Sequence, residues 1–209
     1  MSEIKTHTVY TDGACPGNGT EDATGGMGFA KIDPLNHNDD IKAMHWGLHL
    51  TERYGPPTNQ KCELFAAMVV VSSAAFCALD KTGYDWREAM YSEDGTVHEI
   101  IAIKSDSKYV VDGINHWLRN WKKNNWKNSK KKTISNSQMW KDLDSMLSYE
   151  HIRGCLAFSY VPGHSGDPGN EAADRAARLG ADAELTTEFG VGEWQEFLSV
   201  IQRCSELHE

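Results

Sequence analysis

No apolar run in the sequence approaches the ~20 residues that a helix needs to cross a bilayer, so nothing in it asks for a membrane. The N-terminus, "MSEIKTHTVYTDG", opens on polar residues and passes straight into a strand-like alternation, with no signal or transit peptide to be read. No two of the five cysteines (Cys15, Cys62, Cys77, Cys155 and Cys204) are spaced as CxxC, and their number is odd. Neither a disulfide framework nor a zinc site is indicated, and a reducing intracellular compartment, cytoplasm or nucleus, is expected. Positive charge is scarce as well: 21 Lys and Arg stand against 30 Asp and Glu, a formal net charge of −9. Such a chain should repel polyanions unless its positive charge is gathered in one place.

The stretch "WLRNWKKNNWKNSKKK" (117–132) gathers it, with seven Lys or Arg from Arg119 to Lys132 and no acid. Taking those seven away from the net of −9 leaves about −16 for the remainder. Local field, not net charge, would then steer an anionic partner to this one face. Trp117 and Trp121, four apart, also suit a helix core, and a lysine run also suits a solvated surface.

With 209 residues and 40% hydrophobic content, the chain can bury one sizeable core. Residues 4–12, 26–32 and 43–50 read as three short strands in an antiparallel meander, the last two separated by "DPLNHNDD". The period then changes: "NQKCELFAAMVVVSSAAFCALD" lacks Gly and Pro and sets Leu64, Met68 and Val71 at helical spacing after a cap at Thr58 or Asn59. "EIIAIKSDS" (99–107) reads as a buried strand, "SKYVVDGINHWL" as a helix start, "SQMWKDLDSMLSY" as a helix and "CLAFSYVPG" as a strand. "DPGNEAADRAARLG" is expected to be a helix capped by Asp167, with Pro168 in its first turn and Gly180 as its stop. This order predicts an α/β domain built on a mixed sheet with helices on its faces, and in such folds sites gather near strand ends. Residues 81–98 read as an insertion. Residues 182–209 read as a linker followed by an amphipathic C-terminal helix with Trp194, Phe197, Leu198 and Ile201 on one face, appended to a domain at 1–181.

Four acids fall at the ends of these elements. Asp12 ends the first strand, although Asp-Gly is also a common turn dipeptide. Glu63 lies in the first turn or so of its helix, where the helix dipole favours a carboxylate anyway. Asp106 ends an apolar strand and could equally cap the next helix. Asp174 sits two turns into an alanine-rich helix, where it needs a cation or a partner, and Arg178 at i+4 is an available partner. If the strands of Asp12 and Asp106 are neighbours and the other two helices flank them, four acids converge. Their mutual repulsion would call for divalent cations, and oxygen-only ligands point to Mg²⁺ or Mn²⁺.

"YTDGACPGNG", "TNQKCELFAA", "IKSDSKYVV" and "VPGHSGDPGNEAADRAA", in this order and spacing, resemble the four signature segments of type 1 ribonuclease H over roughly residues 5–181. The resemblance implies a ribonuclease H-like fold, with a mixed five-stranded sheet flanked by helices, a basic protrusion and here an extra C-terminal helix. It implies hydrolysis of the RNA strand of RNA–DNA hybrids with two Mg²⁺ ions (or Mn²⁺) about 3.5–4 Å apart, leaving 5′-phosphate and 3′-hydroxyl ends. By the same resemblance Asp12, Glu63, Asp106 and Asp174 are the metal-binding carboxylates, and His164 is a mobile histidine that assists proton transfer or product release. Trp117, Trp121, Lys122, Lys123 and Lys127 then belong to a protrusion that grips the DNA strand. Cys15, Asn18 and Gln60 match positions that meet the minor groove, where 2′-hydroxyls tell RNA from DNA. Thr58, in the Thr58-Asn59-Gln60 element, and Asn136 match positions that hold a DNA phosphate.

Two departures carry expectations of their own. Pro56 stands where relatives often have Arg, which implies a phosphate pocket short of a cation and weaker, more salt-sensitive hybrid binding. The chain also opens directly at its first strand, without the small hybrid-binding domain of many eukaryotic members, which implies low processivity. A monomer acting on hybrids away from membranes is expected. The competing readings are a catalytically silent hybrid-binding module, a partner-docking subunit centred on the C-terminal helix, and a DNA-cleaving relative, the last disfavoured by Asn18 and Gln60.

Overall fold

The computed structural model describes residues 5–32, 41–48, 54–77, 99–148 and 154–182. The insertion at 81–98 and the C-terminal helix expected beyond residue 182 lie outside the described residues. Five strands form one sheet: β1 (Lys5–Ala14), β2 (Gly25–Ile32), β3 (Ile41–Leu48), β4 (Glu99–Ser105) and β5 (Leu156–Tyr160), in the order β3-β2-β1-β4-β5. The meander β1-β2-β3 is antiparallel, while β4 and β5 run parallel to β1. The mixed sheet expected from the sequence is therefore present, with β1 at its centre.

Helix α1 (Asn59–Cys77) starts where the Thr58 hydroxyl accepts the Lys61 amide at 3.3 Å, which makes Thr58 the cap. Its Leu64, Met68 and Val71 are fully buried, as their spacing predicts, and join Met27, Phe29 and Ile103 of the sheet in the larger of two apolar clusters. The second helical region is one rod interrupted once: α2 (Lys108–Asp112), a π-helical turn (Gly113–Trp117) and α3 (Leu118–Lys123). In that turn the Leu118 amide reaches back to the Gly113 carbonyl, one residue further than in an α-helix. A Cβ on Gly113 would collide with the Trp140 ring, so the glycine lets the rod lie against α4 (Ser137–Leu147), which carries that tryptophan in the core.

On the opposite face, α5 (Pro168–Asp182) covers a smaller cluster of Tyr10, Ala30, Val161, Ala172 and Ala173. Asp167 caps it as expected, its Oδ1 accepting the amides of Gly169 at 3.0 Å and Asn170 at 3.1 Å. Gly180 is not its stop: the helix runs on to Asp182, and Gly180 is buried against β2. The small residue serves contact there, because Gly26 brings the strand against the backbone of Ala177, Gly180 and Ala181. Gly28 does the same one pleat on, where an added Cβ would collide with the Ala173 carbonyl and the Ala177 amide.

Gly28→Ala should therefore cost on the order of 3 kcal/mol, because neither backbone can yield without moving α5 off the sheet. Gly19→Ala meets nothing within 4 Å and has only its left-handed φ of 89° to strain, so it should cost about 1 kcal/mol. Urea unfolding of the two variants beside the unaltered chain measures the difference.

Candidate active site

The glycines around Asp12 explain why acids meet there. The parallel register of β1 and β4 ends with Tyr10 opposite Lys104; Asp12 follows in β1, and Asp106 comes just after the last residue of β4. Asp12 and Gly13 are not a turn, since β1 continues to Ala14. Gly13 instead has the backbone of Cys62 and Glu63 directly against it, closer than any side chain would allow. Helix α1 thus delivers Glu63 to the strand end from one face. On the other face Gly28, registered opposite Asp12, admits the turn of α5 that carries Asp174.

Each acid has a local environment that its sequence neighbours only partly foretell. Asp106 does not cap the rod that follows: Ser107 does, its hydroxyl accepting the Val110 amide at 3.3 Å. The same hydroxyl donates to Glu63 Oε2 at 2.6 Å, joining α1 to the end of β4. Glu63 lies past the first turn of α1, so the turn dipole does not account for it. Asp174 does make the i+4 pair with Arg178, at 3.0 Å from Nη2 and 3.1 Å from Nε. Gly163 packs onto Asp106 so closely that a Cβ there would stand 2.6 Å from Oδ2.

Asp12 is only 7% exposed, and Oδ1 has the amide of Gly13 at 2.7 Å. Burial first, then the charge of Asp106, with Asp174 and Glu63 adding less, push its carboxyl up to about 8 against the opposing hydrogen bond from the Gly13 amide. Burial likewise raises Glu63, with Asp106 adding to the rise and the Ser107 hydroxyl opposing it. The other three acids therefore all act on Asp12, yet among the described residues no three acidic, His or Cys side chains close into a cation-holding group. Like charges stay apart, with Glu63 turned to Ser107 and Asp174 to Arg178. The donor set still suits a hard divalent cation, being all oxygen and short of countercharge.

The other expected site residues divide into exposed and occupied. His164 is exposed on a loop with φ 52°, and its neighbour Gly163 anchors that loop on Asp106. Asn18, Asn59 and Gln60 are exposed, whereas the Cys15 side chain is buried beside Cys62 and leaves only its backbone to a ligand. Asn136 has φ 55° and donates to the Tyr109 hydroxyl at 3.2 Å, in front of α4. Trp117 is 38% exposed, while Trp121 is packed between it and Trp140, with ring centres 5.5 and 5.1 Å apart. Lys123 and Lys127 are exposed, but Lys122 is already paired with Asp144 at 2.8 Å.

Three contributors escape a residue-by-residue reading of the chain. Lys61 Nζ sits 2.6 Å from the Pro56 carbonyl, so a cation does stand at the turn that Pro56 is expected to leave short of one. Asn128 accepts the amides of Lys130 and Lys132 at 2.9 and 3.1 Å and shapes the lysine-bearing turn. Asn170 is buried against Asp106. Only Asn128, an Asn in a run of turn residues, had a signal in the sequence.

Comparison with known proteins adds to this geometry. The RNase H family model matches residues 4–182. The Ribonuclease H of Enterobacter sp. (strain 638) is 34% identical over 182 residues, covering 87% of this chain and 93% of its own. A solved type 1 RNase H with the type 2 active-site motif, LC9-RNase H1, superimposes with a TM-score of 0.58 at 21% identity, over 96% of this chain and 87% of that one. A foamy viral protease-reverse transcriptase in complex with an RNA/DNA hybrid gives 0.59 at 20% identity, over 84% of this chain and 20% of that one. Both superpositions show the same fold.

A carboxyl held near 8 in the fold but near 4 in the unfolded chain binds its proton more tightly when folded. Stability in EDTA should thus fall as pH rises from about 5 to 8, with a ceiling of about 1.4 kcal/mol per pH unit. Asp12→Asn should flatten that slope, and urea midpoints measured across the range decide it.

Proposed function

The chain belongs to the RNase H family, hydrolases that cut RNA paired with DNA, and from that premise we propose that Asp12, Glu63, Asp106 and Asp174 form its metal-dependent active site. The observation that carries the reading is Asp12 itself: a buried carboxylate, raised by three others, at the end of the central strand. A structural role gives no reason to gather four acids, one of them buried, around one strand end, whereas divalent cations would turn the repulsion into attraction.

The residues divide the work. Asp12, Glu63, Asp106 and Asp174 would hold two Mg²⁺ (Mn²⁺ being a substitute). When bound, these ions supply an activated water and stabilise the leaving 3′-oxygen, which gives a 5′-phosphate and a 3′-hydroxyl. Asp12 must shed its proton for this, so cation binding strengthens as pH rises towards 8. Asp174 must exchange Arg178 for the cation. His164, exposed on the loop whose Gly163 lies against Asp106, would pass a proton to or from the leaving group. No covalent enzyme intermediate is required.

Hybrid recognition uses two surfaces. Asn18, Gln60 and the Cys15 backbone face the minor groove, and Thr58, Asn59 and Asn136 flank a DNA phosphate. Trp117, Lys123 and Lys127, with Trp121 behind them, grip the DNA strand further along. Lys122 contributes less, because Asp144 already neutralises it. The protein acts as a monomer inside the cell, and residues 1–181 are the catalytic unit. Among the described residues no helix is long and apolar enough to cross a membrane.

End-labelled RNA in a hybrid should be cut in Mg²⁺, while duplex RNA and duplex DNA stay intact. EDTA or Asp12→Asn should lower the rate on the order of 10³-fold or more. Intact RNA in a hybrid that is still bound would instead make the chain a silent binding module. In binding measurements with EDTA, Lys123→Ala and Lys127→Ala should each lower the slope of log K against log salt by about 0.9, with Lys122→Ala changing it less. Pro56→Arg should tighten binding and, because one more phosphate contact releases one more counterion, steepen that slope by about the same amount, the reverse of the greater salt sensitivity expected of Pro56 from the sequence.

A further inference from the structure

Asn170 is 2% exposed and lies in the first turn of α5, four residues before Asp174 and so on the same helix face. Its Nδ2 donates to Asp106 Oδ2 at 3.3 Å. Its Oδ1 is fully buried and, among the described residues, has no hydrogen-bond partner. Flipping the amide would not satisfy it, because two acceptors would then face each other at Asp106. An orphaned buried carbonyl oxygen costs stability, so its place beside an acid of the active site calls for an explanation.

The first turn of α5 is pinned where it stands. Asp167 accepts the amides of Gly169 and Asn170, the Tyr10 hydroxyl donates to Asp167 Oδ2 at 3.4 Å, and Gly169 lies against the Tyr10 ring. Asn170 therefore cannot drift from Asp106. On its other side Asp106 Oδ2 is covered by Gly163. One oxygen of Asp106 is thus enclosed between a glycine and an amide, and Oδ1 is the oxygen it has to offer.

Resting on the nuclease reading, we propose that Asn170 is a positioning residue of this site. Its amide N–H fixes the Asp106 carboxylate so that Oδ1 is presented, and its own Oδ1 is a neutral acceptor for the hydration shell that Mg²⁺ retains. The residue must be neutral: a carboxylate here would add a fifth repelling charge, and a hydrocarbon would leave Asp106 free to turn.

The test uses Asn170→Ala, which suits a helix and removes both groups, and Asn170→Asp, which keeps the shape and loses the donor. Melting is followed in EDTA and against Mg²⁺ without nucleic acid, and kcat and KM are measured on a hybrid. Asn170→Ala should melt in EDTA no lower than the unaltered protein, since an orphaned oxygen has gone. Its Mg²⁺ midpoint should rise ten- to a hundredfold and its kcat fall by a similar factor, with KM for the hybrid unchanged. Asn170→Asp should lose at least tenfold in kcat. An unchanged Mg²⁺ midpoint in Asn170→Ala, an unchanged kcat in Asn170→Asp, or an effect confined to KM overturns the assignment. The Mg²⁺ arm needs no substrate, so failure of the nuclease reading would show separately, as an intact hybrid with the unaltered protein.

Discussion

The close approach of two helix backbones to one pair of strands is the constraint on which this molecule depends. Gly13 admits α1 from one face of the sheet, and Gly28 admits α5 from the other, with Asp12 lying between them. A methyl group at either glycine would push a helix outward and carry Glu63 or Asp174 away with it. Close packing and acid clustering are therefore one event: the contact that excludes water from Asp12 is the contact that brings the other carboxylates near.

That arrangement costs stability, and the protein offsets the cost locally. Burying a carboxylate among carboxylates is unfavourable, and the fold answers with neutral donors: the Gly13 amide for Asp12, the Ser107 hydroxyl for Glu63 and the Asn170 amide for Asp106. Among the described residues Asp174 alone of the four has a full countercharge, in Arg178. Neutral donors fix geometry without cancelling charge, which leaves the cluster's negative potential available to a cation. Strain of this kind, held at a site and compensated by the packing around it, is the pattern of a functional centre.

The basic segment is tied to the same core by rings instead of charge. Tyr109, Trp140, Trp121 and Trp117 form a chain of aromatic contacts from the buried centre to the surface, with centroids 5.4, 5.1 and 5.5 Å apart. The π-helical turn and Gly113 set the phase that keeps this chain in contact. Rigid aromatic support lets a cluster of like-charged lysines project from a chain that is acidic elsewhere, so its positive field is confined to one edge.

Much of this was legible in the sequence. The change from period two to helical period located β1, β2, α1 and β4, because burial of one face is encoded in the residues themselves. Four signature segments around Asp12, Glu63, Asp106 and Asp174 identified the family. Capping chemistry is local, and Asp167 followed from it. What tertiary structure decided lies in contacts between distant segments: that Asp106 is no cap because Ser107 takes the role while holding Glu63, that Gly180 serves contact and not termination, and that Lys122 belongs to Asp144. Asn170 and Lys61 acquire meaning only from what stands opposite them. A sequence records which side chains a chain can bury. Which carbonyl, ring or carboxylate each then meets is settled by the packing of helices on the sheet, because hydrogen bonds and ion pairs depend on distances that no spacing along the chain contains.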